Sequence, residues 1–363
     1  LASFGEKFGL VFQIRDDLLD IIGNVDALGK PTAFDLKKNI QTLPLIHIFN
    51  KLSKNKLNII YICTAEKGPS GGAKIIYDHS DHINKLKIPN VSSEVLHIQK
   101  KKISKWNTSL RKKFKITENG YSGWSAKDIT INKSFKSKWF KNNIQKRENF
   151  LFNKKNDFII FPEIFAHLAK ELCVNKKISY AIFALNGYTL KPTNNFRDLE
   201  DSYKNANFIL SVSKNISLCV KLAFPNCANK IFKSSLSIDA KKINFNNKKN
   251  NLITYMPRKL PQHSDLVLFF LRKHLPNSWK IKKIHNFNER KVFYYLSKSK
   301  IFLSFTHFEG LGMPPIEAAL AGNEIIGYTG EGGKEIWHKP IFNEIQNGNI
   351  LKFVEEILKS IKT

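Results

Sequence analysis

Acidic residues are scarce in this chain of 363: 30 Asp and Glu stand against 59 Lys and Arg, a formal net charge of +29. Long apolar runs are missing. No stretch reaches the roughly 18 uncharged apolar residues of a membrane-crossing helix, and no secretory leader is evident. Cysteine is sparse. Cys63, Cys173, Cys219 and Cys227 lie scattered with no C-x-x-C pair, so they read as buried thiols in a reducing compartment, not as a zinc site or a disulfide frame. No short internal repeat is present. The first residue is Leu, not Met, which reads as a fragment or as a gene model cut from a longer frame.

The excess of positive charge would attract phosphate on nucleic acid, on anionic lipid or on a diphosphate substrate. Lys outnumbers Arg and is spread along the chain, whereas nucleic-acid readers concentrate Arg at specific contacts. Most of the charge therefore reads as a compositional bias toward Lys, Asn, Ile and Phe, and nucleic acid is not an expected partner. Hydrophobic residues at 42% and aromatics at 12% suffice for a sizeable core, which excludes wholesale disorder. The length fits two or three domains.

Texture divides the chain at 1–55, 56–240 and 241–363. The first part is helical in pattern. At 57–65 the run LNIIYICTA reads as a buried strand, followed by a glycine turn and a helix-like run AKIIYDHSDHINKL. Strands are expected near 94–98, 157–161 (leading into a helix from Pro162), 179–185 and 207–212. The polar run at 239–251 reads as a linker. Beyond it strands at 252–256, 279–284, 300–305 and 324–328 alternate with helices from about 263, 289 and 314, and helices run to the end. Such alternation implies parallel sheets with right-handed crossovers. The expected fold class is α/β: two Rossmann-like domains facing a cleft, preceded by a short all-α segment. Residues 100–155 mix Lys with Trp106, Trp124 and Trp139. The favoured reading is a solvated insertion whose aromatics pack inward; contact with an anionic membrane surface ranks second, and single-stranded nucleic acid third.

Near the start, FQIRDDLLDIIGNVDALGK (12–30) sets three carboxylates into an apolar helix. Asp16 and Asp20 share a face with Gln13, and Asp17 lies close by. Like charges four apart repel unless a cation sits between them, and Mg²⁺ bridging carboxylates to phosphate is the obvious one. Lys30 would reach the same phosphates. With LGKP, Asp35 and TLPLI (42–46), this stretch resembles the second aspartate-rich region of the all-trans polyprenyl diphosphate synthases. The resemblance stops near Asn55. It implies that Asp16 binds Mg²⁺ on an allylic diphosphate, that Asp17 and Asp20 support the metal, and that Gln13 and Lys30 contact the diphosphate. Ile40 stands where many members carry Lys. The family's first aspartate-rich motif has no counterpart in this chain, so the segment alone is expected to be inactive.

The second motif is FLSFTHFEGLGMPPIEAALAGNEIIGYTGEGGKEIW (302–337). Seven residues separate Glu309 from Glu317, Gly310 and Gly312 turn the chain after a strand, and Pro314 or Pro315 starts a helix. Such a turn aims backbone N–H groups at an anion. The motif resembles the E-x7-E region of retaining GT-B glycosyltransferases. The resemblance covers about 57–363 and implies that Glu309 and the glycines sit at the donor sugar and diphosphate, with Glu317 at the ribose. It assigns the diphosphate to Arg258 and Lys259 of TYMPRK (254–259), which are adjacent here but more widely spaced in the family. It also assigns Gly71 and Gly72 of SGGAK (70–74) to a loop facing the donor phosphates across the cleft. His79, Asp81 and His82 follow; the two His lack a third metal ligand and read as polar helix residues.

The expectation is thus a transferase: a glycosyltransferase taking a nucleotide-sugar donor, with an unknown acceptor and no required cofactor, fused to a truncated prenyl-synthase segment that would use Mg²⁺ if completed. A cytoplasmic location, peripheral to the inner membrane face, is expected. The alternatives are a polyprenyl synthase fragment joined to a neighbouring sequence, and a non-catalytic basic protein that binds nucleic acid or membrane.

Overall fold

The computed structural model describes residues 56–65, 70–101, 124–132, 149–191, 196–234, 238, 243, 245–246 and 248–362. The aspartate-rich stretch, and with it Gln13, Asp16, Asp17, Asp20 and Lys30, lies outside them, as do Trp106 and Trp139.

Two sheets, each with its own core, organise the described chain. The first contains β1 (Leu57–Thr64), β2 (Val91–Lys100), β3 (Ile129–Ile131), β4 (Asp157–Pro162), β5 (Tyr180–Ala184), β6 (Ile209–Ser211) and β7 (Ile231–Lys233), in the spatial order β3-β2-β1-β4-β5-β6-β7. Helices α1 (Gly71–Lys85), α2 (Ala169–Leu172), α3 (Phe196–Asn205) and α4 (Lys214–Ala223) link them. All six residues of β4 and all five of β5 are buried. Helices covering both faces of a parallel sheet turn its strands into continuous apolar runs, which is why DFIIF and YAIFA are legible as strands.

The second sheet contains β8 (Asn250–Tyr255), β9 (Lys280–Lys283), β10 (Ser299–Ser304), β11 (Glu324–Gly327) and β12 (Phe342–Glu344), in the order β12-β11-β10-β8-β9. Its helices are α5 (Pro261–Leu271), α6 (Glu289–Lys298), α7 (Met313–Leu320) and α8 (Ile350–Ser360). Phe305 stacks on Phe353 of α8 with centroids 4.9 Å apart.

Several expectations need correction. Strand β3 pairs antiparallel to β2, so the first sheet is not wholly parallel. Pro162 leads into a 3-10 segment, Glu163–Leu168, before α2. The C-terminal stretch expected to be all helix contains β12, too short to show a period. Gly71 and Gly72 are the first residues of α1, not a loop before it, and Ser70 caps them by accepting from the Ala73 N–H. The proposed linker ends inside β8. Trp124 packs inward, its ring 5.9 Å from that of Phe165, as the favoured reading of its region expects.

In each sheet the chain order reverses beside the first strand: between β1 and β4, and between β8 and β10. Ligands of open α/β sheets bind outside the carboxyl ends of strands at such points. Here the two points face each other.

Candidate functional site

A cavity of about 730 Å³ lies between the sheets. Its walls come from the segments that leave β1 and β4 on one side and β8 and β10 on the other. Arg258, Lys259, Glu309, Gly310, Gly312 and Glu317 line it from the C-terminal domain, and Gly71 and Gly72 from the N-terminal domain. Every residue assigned by the E-x7-E resemblance is therefore in one cavity.

Local sequence explains the placement. After β10 the chain turns through Phe308, whose φ is +48°, and Glu309, whose N–H donates to the Gly330 carbonyl at 2.9 Å. Gly310 follows at a point of contact between domains. A Cβ there would lie 1.8 Å from the Leu185 carbonyl oxygen, so only glycine lets the domains meet. Gly312, at φ +76°, is the residue preceding α7. Pro314 and Pro315 then occupy the first turn of that helix and remove two N–H groups. The amides of Gly71 and Gly72 have no such loss. As first-turn groups they have no intrahelical acceptor, so α1 presents the fuller anion-binding end.

Ion pairs form both within one wall of the cavity and across it. Lys259 Nζ is 3.1 Å from Glu309 Oε1. Lys74 Nζ is 2.7 Å from Glu317 Oε1 and 3.0 Å from Glu289 Oε1. Burial pushes the Glu317 carboxyl up, Lys74 pulls it back, and the net position stays above the ordinary carboxylate range. Burial draws Lys74 down, but the two carboxylates outweigh it and hold the ammonium above its ordinary value. Glu163 is fully buried at the cavity wall. Burial raises its carboxyl to about 7, against hydrogen bonds from the Leu185 N–H at 2.9 Å and the Thr189 hydroxyl at 2.7 Å.

Lys74, Glu289 and Glu163 were not singled out by the sequence. A signal existed for the first: Lys74 follows the Gly pair within one helical turn of Ser70 and so shares their end of α1. His79 and His82 do not converge. His79 packs 4.8 Å from the Phe183 ring, and His82 Nδ1 donates to the Asp78 carbonyl at 2.6 Å. Among the described residues no group of three or more His, Cys, Asp or Glu is arranged to hold a metal, and no helix is long and apolar enough to cross a membrane. Cys63, Cys173 and Cys227 are buried and Cys219 is half-buried.

The polyprenyl synthetase family model matches residues 1–76. The match continues past Asn55 into β1 and the first turns of α1. A short chain isoprenyl diphosphate synthase of Methanocaldococcus jannaschii is 39% identical over 56 residues, 15% of this chain and 17% of that protein. A geranylfarnesyl diphosphate synthase of Aeropyrum pernix is 33% identical over 79 residues, 22% of this chain and 25% of that protein. The chain thus spans a quarter or less of the length of these relatives.

Solved structures resemble the rest. A variant of TarM from S. aureus, in complex with fondaparinux, alpha-GlcNAc-glycerol and UDP, superposes with a TM-score of 0.58 at 9% identity, covering 85% of this chain and 93% of TarM. HepE of Anabaena in complex with UDP gives 0.51 at 11%, covering 84% and 89%. The lipopolysaccharide outer core galactosyltransferase WaaB gives 0.51 at 14%, covering 84% and 90%. The chain carries a GT-B glycosyltransferase-like fold over most of its length and a polyprenyl synthetase-like segment at its N-terminal end.

Proposed function

We propose that the cleft binds a nucleotide-diphosphate sugar and transfers its glycosyl group with retention. The observation that carries this reading is the convergence of Glu309, Gly310, Gly312, Glu317, Arg258 and Lys259 on the amino end of α1. A diphosphate leaving group needs charge stabilisation as the anomeric C–O bond breaks. Preorganised N–H groups of Gly71 and Gly72 with the Arg258 guanidinium supply it. Glu309, held by Lys259, faces the donor sugar, and Glu317 accepts from the ribose hydroxyls. This route assigns no side chain as a general base and no metal ion. Because TarM and HepE were solved with UDP, uridine-based donors are the first to test. In the stretch before Asn55, Gln13, Asp16, Asp17, Asp20 and Lys30 would hold Mg²⁺ and a diphosphate if the rest of such a site were supplied, and none of these five is assigned a role in sugar transfer.

The test is turnover. The full chain is incubated with UDP-, GDP- and ADP-sugars, and sugar release or transfer is followed. Turnover of at least one donor, lost in Glu309→Gln, is the expected result. No turnover together with no nucleotide binding overturns the reading.

A further inference from the structure

The first turn of α1 sends a cation across the cleft. Lys74 belongs to the N-terminal domain, whereas its partners Glu317 and Glu289 belong to the C-terminal one. The side chains of Lys74 and Glu317 are only 18% and 11% exposed. A pair this enclosed differs from a surface bridge, because removing one partner strands the other away from water.

Three charged groups bear on Glu317: Lys74, Glu289 and Asp78. The last two repel a carboxylate, so Lys74 is what favours the ionised form. Glu289 is itself fixed, since it opens α6 directly after Asn288, whose side chain accepts from the Lys291 N–H at 2.9 Å. The Lys74 bond uses Oε1 of Glu317, and Oε2 remains as an acceptor. Vicinal hydroxyls need such an acceptor, and an ionised carboxylate accepts at both oxygens. When the domains part, Lys74 leaves, and burial and like charge then favour a protonated Glu317.

We propose that Lys74 is a positioning residue: by pinning the Glu317 carboxylate from the opposite domain, it makes recognition of the donor's ribose hydroxyls conditional on closure of the cleft. This rests on the reading of the cleft as a nucleotide-sugar site. Closure and ribose recognition are then one coupled equilibrium.

The experiment is a double cycle by isothermal titration calorimetry. UDP and 2′,3′-dideoxy-UDP are titrated into the wild-type chain, Lys74→Met and Lys74→Arg, with Lys74→Gln as a second uncharged variant should the Met variant not fold. The wild type is expected to lose about tenfold or more in affinity when the hydroxyls are removed. Lys74→Met is expected to bind UDP about tenfold or more weaker and to be indifferent to the hydroxyls. Lys74→Arg restores the dependence on them. Unchanged or tighter UDP binding by Lys74→Met overturns the proposal. So does weaker binding that keeps its full dependence on the hydroxyls, which would place Lys74 on the phosphates. A wild type that binds neither ligand refutes the nucleotide-site reading itself, and this inference with it.

Discussion

Glu163 shows how one buried side chain links the cleft to solution pH. Its carboxyl closes the β5 turn through Leu185 and Thr189, and burial raises its pKa from 4.5 to about 7. The folded state thus holds a proton that the unfolded chain releases at lower pH. Its contribution to stability is fully present below about pH 4.5 and is lost as pH rises through about 7, at most about 3 kcal/mol in all. Glu163→Gln removes this slope. Urea denaturation at pH 5 and pH 7.5 checks it: the wild type loses more stability between the two than the variant, and equal losses contradict the assignment. Glu163 could not be found from sequence, because its role depends on a turn more than 20 residues away. Lys74 is harder still. Its partner Glu317 is 243 positions distant, and no local period records such a pairing.

Elements were legible where burial is two-sided or where a cap precedes a periodic run. The apolar strings of β1, β4 and β5 mark the middle of a covered sheet. The E-x7-E turn placed Gly312 and the prolines at the start of α7, where the structure has them. Three-residue strands such as β3, β7 and β12 escape because they have no room for a pattern and are held by neighbours. Helix α6 carries one testable cap. Asn288→Ala removes the acceptor for the Lys291 N–H and is expected to lower stability by about 1 kcal/mol, seen as a lower thermal midpoint. An unchanged midpoint would mean that the cap contributes nothing.

At the scale of the molecule, the two domains meet through specific polar and aromatic contacts. Asn186 donates to the Phe308 carbonyl at 2.9 Å, and the Tyr188 and Phe308 rings lie 4.8 Å apart. Glu335 accepts from the Lys214 N–H at 2.9 Å and pairs with Lys233 at 2.8 Å. Lys74 adds a third set of contacts, to Glu317 and Glu289 across the cleft. The chemistry assigned to this cleft uses amide dipoles and side-chain cations. Sugar transfer is therefore expected to be unchanged by excess EDTA, and loss of turnover on chelation, restored by Mg²⁺, would move the diphosphate chemistry to a metal. The prenyl-synthase resemblance was the sharpest motif in the sequence, yet the described structure is built almost wholly from the part beyond it.

The central claim is that this cleft is a nucleotide site with Glu317 at its ribose end. Titration of UDP, GDP and ADP into the full chain and into Glu317→Ala tests it most directly. The account predicts that at least one nucleotide binds the wild type and that Glu317→Ala binds it about tenfold or more weaker. A wild type that binds none of the three, or a variant that binds as tightly as the wild type, would contradict it.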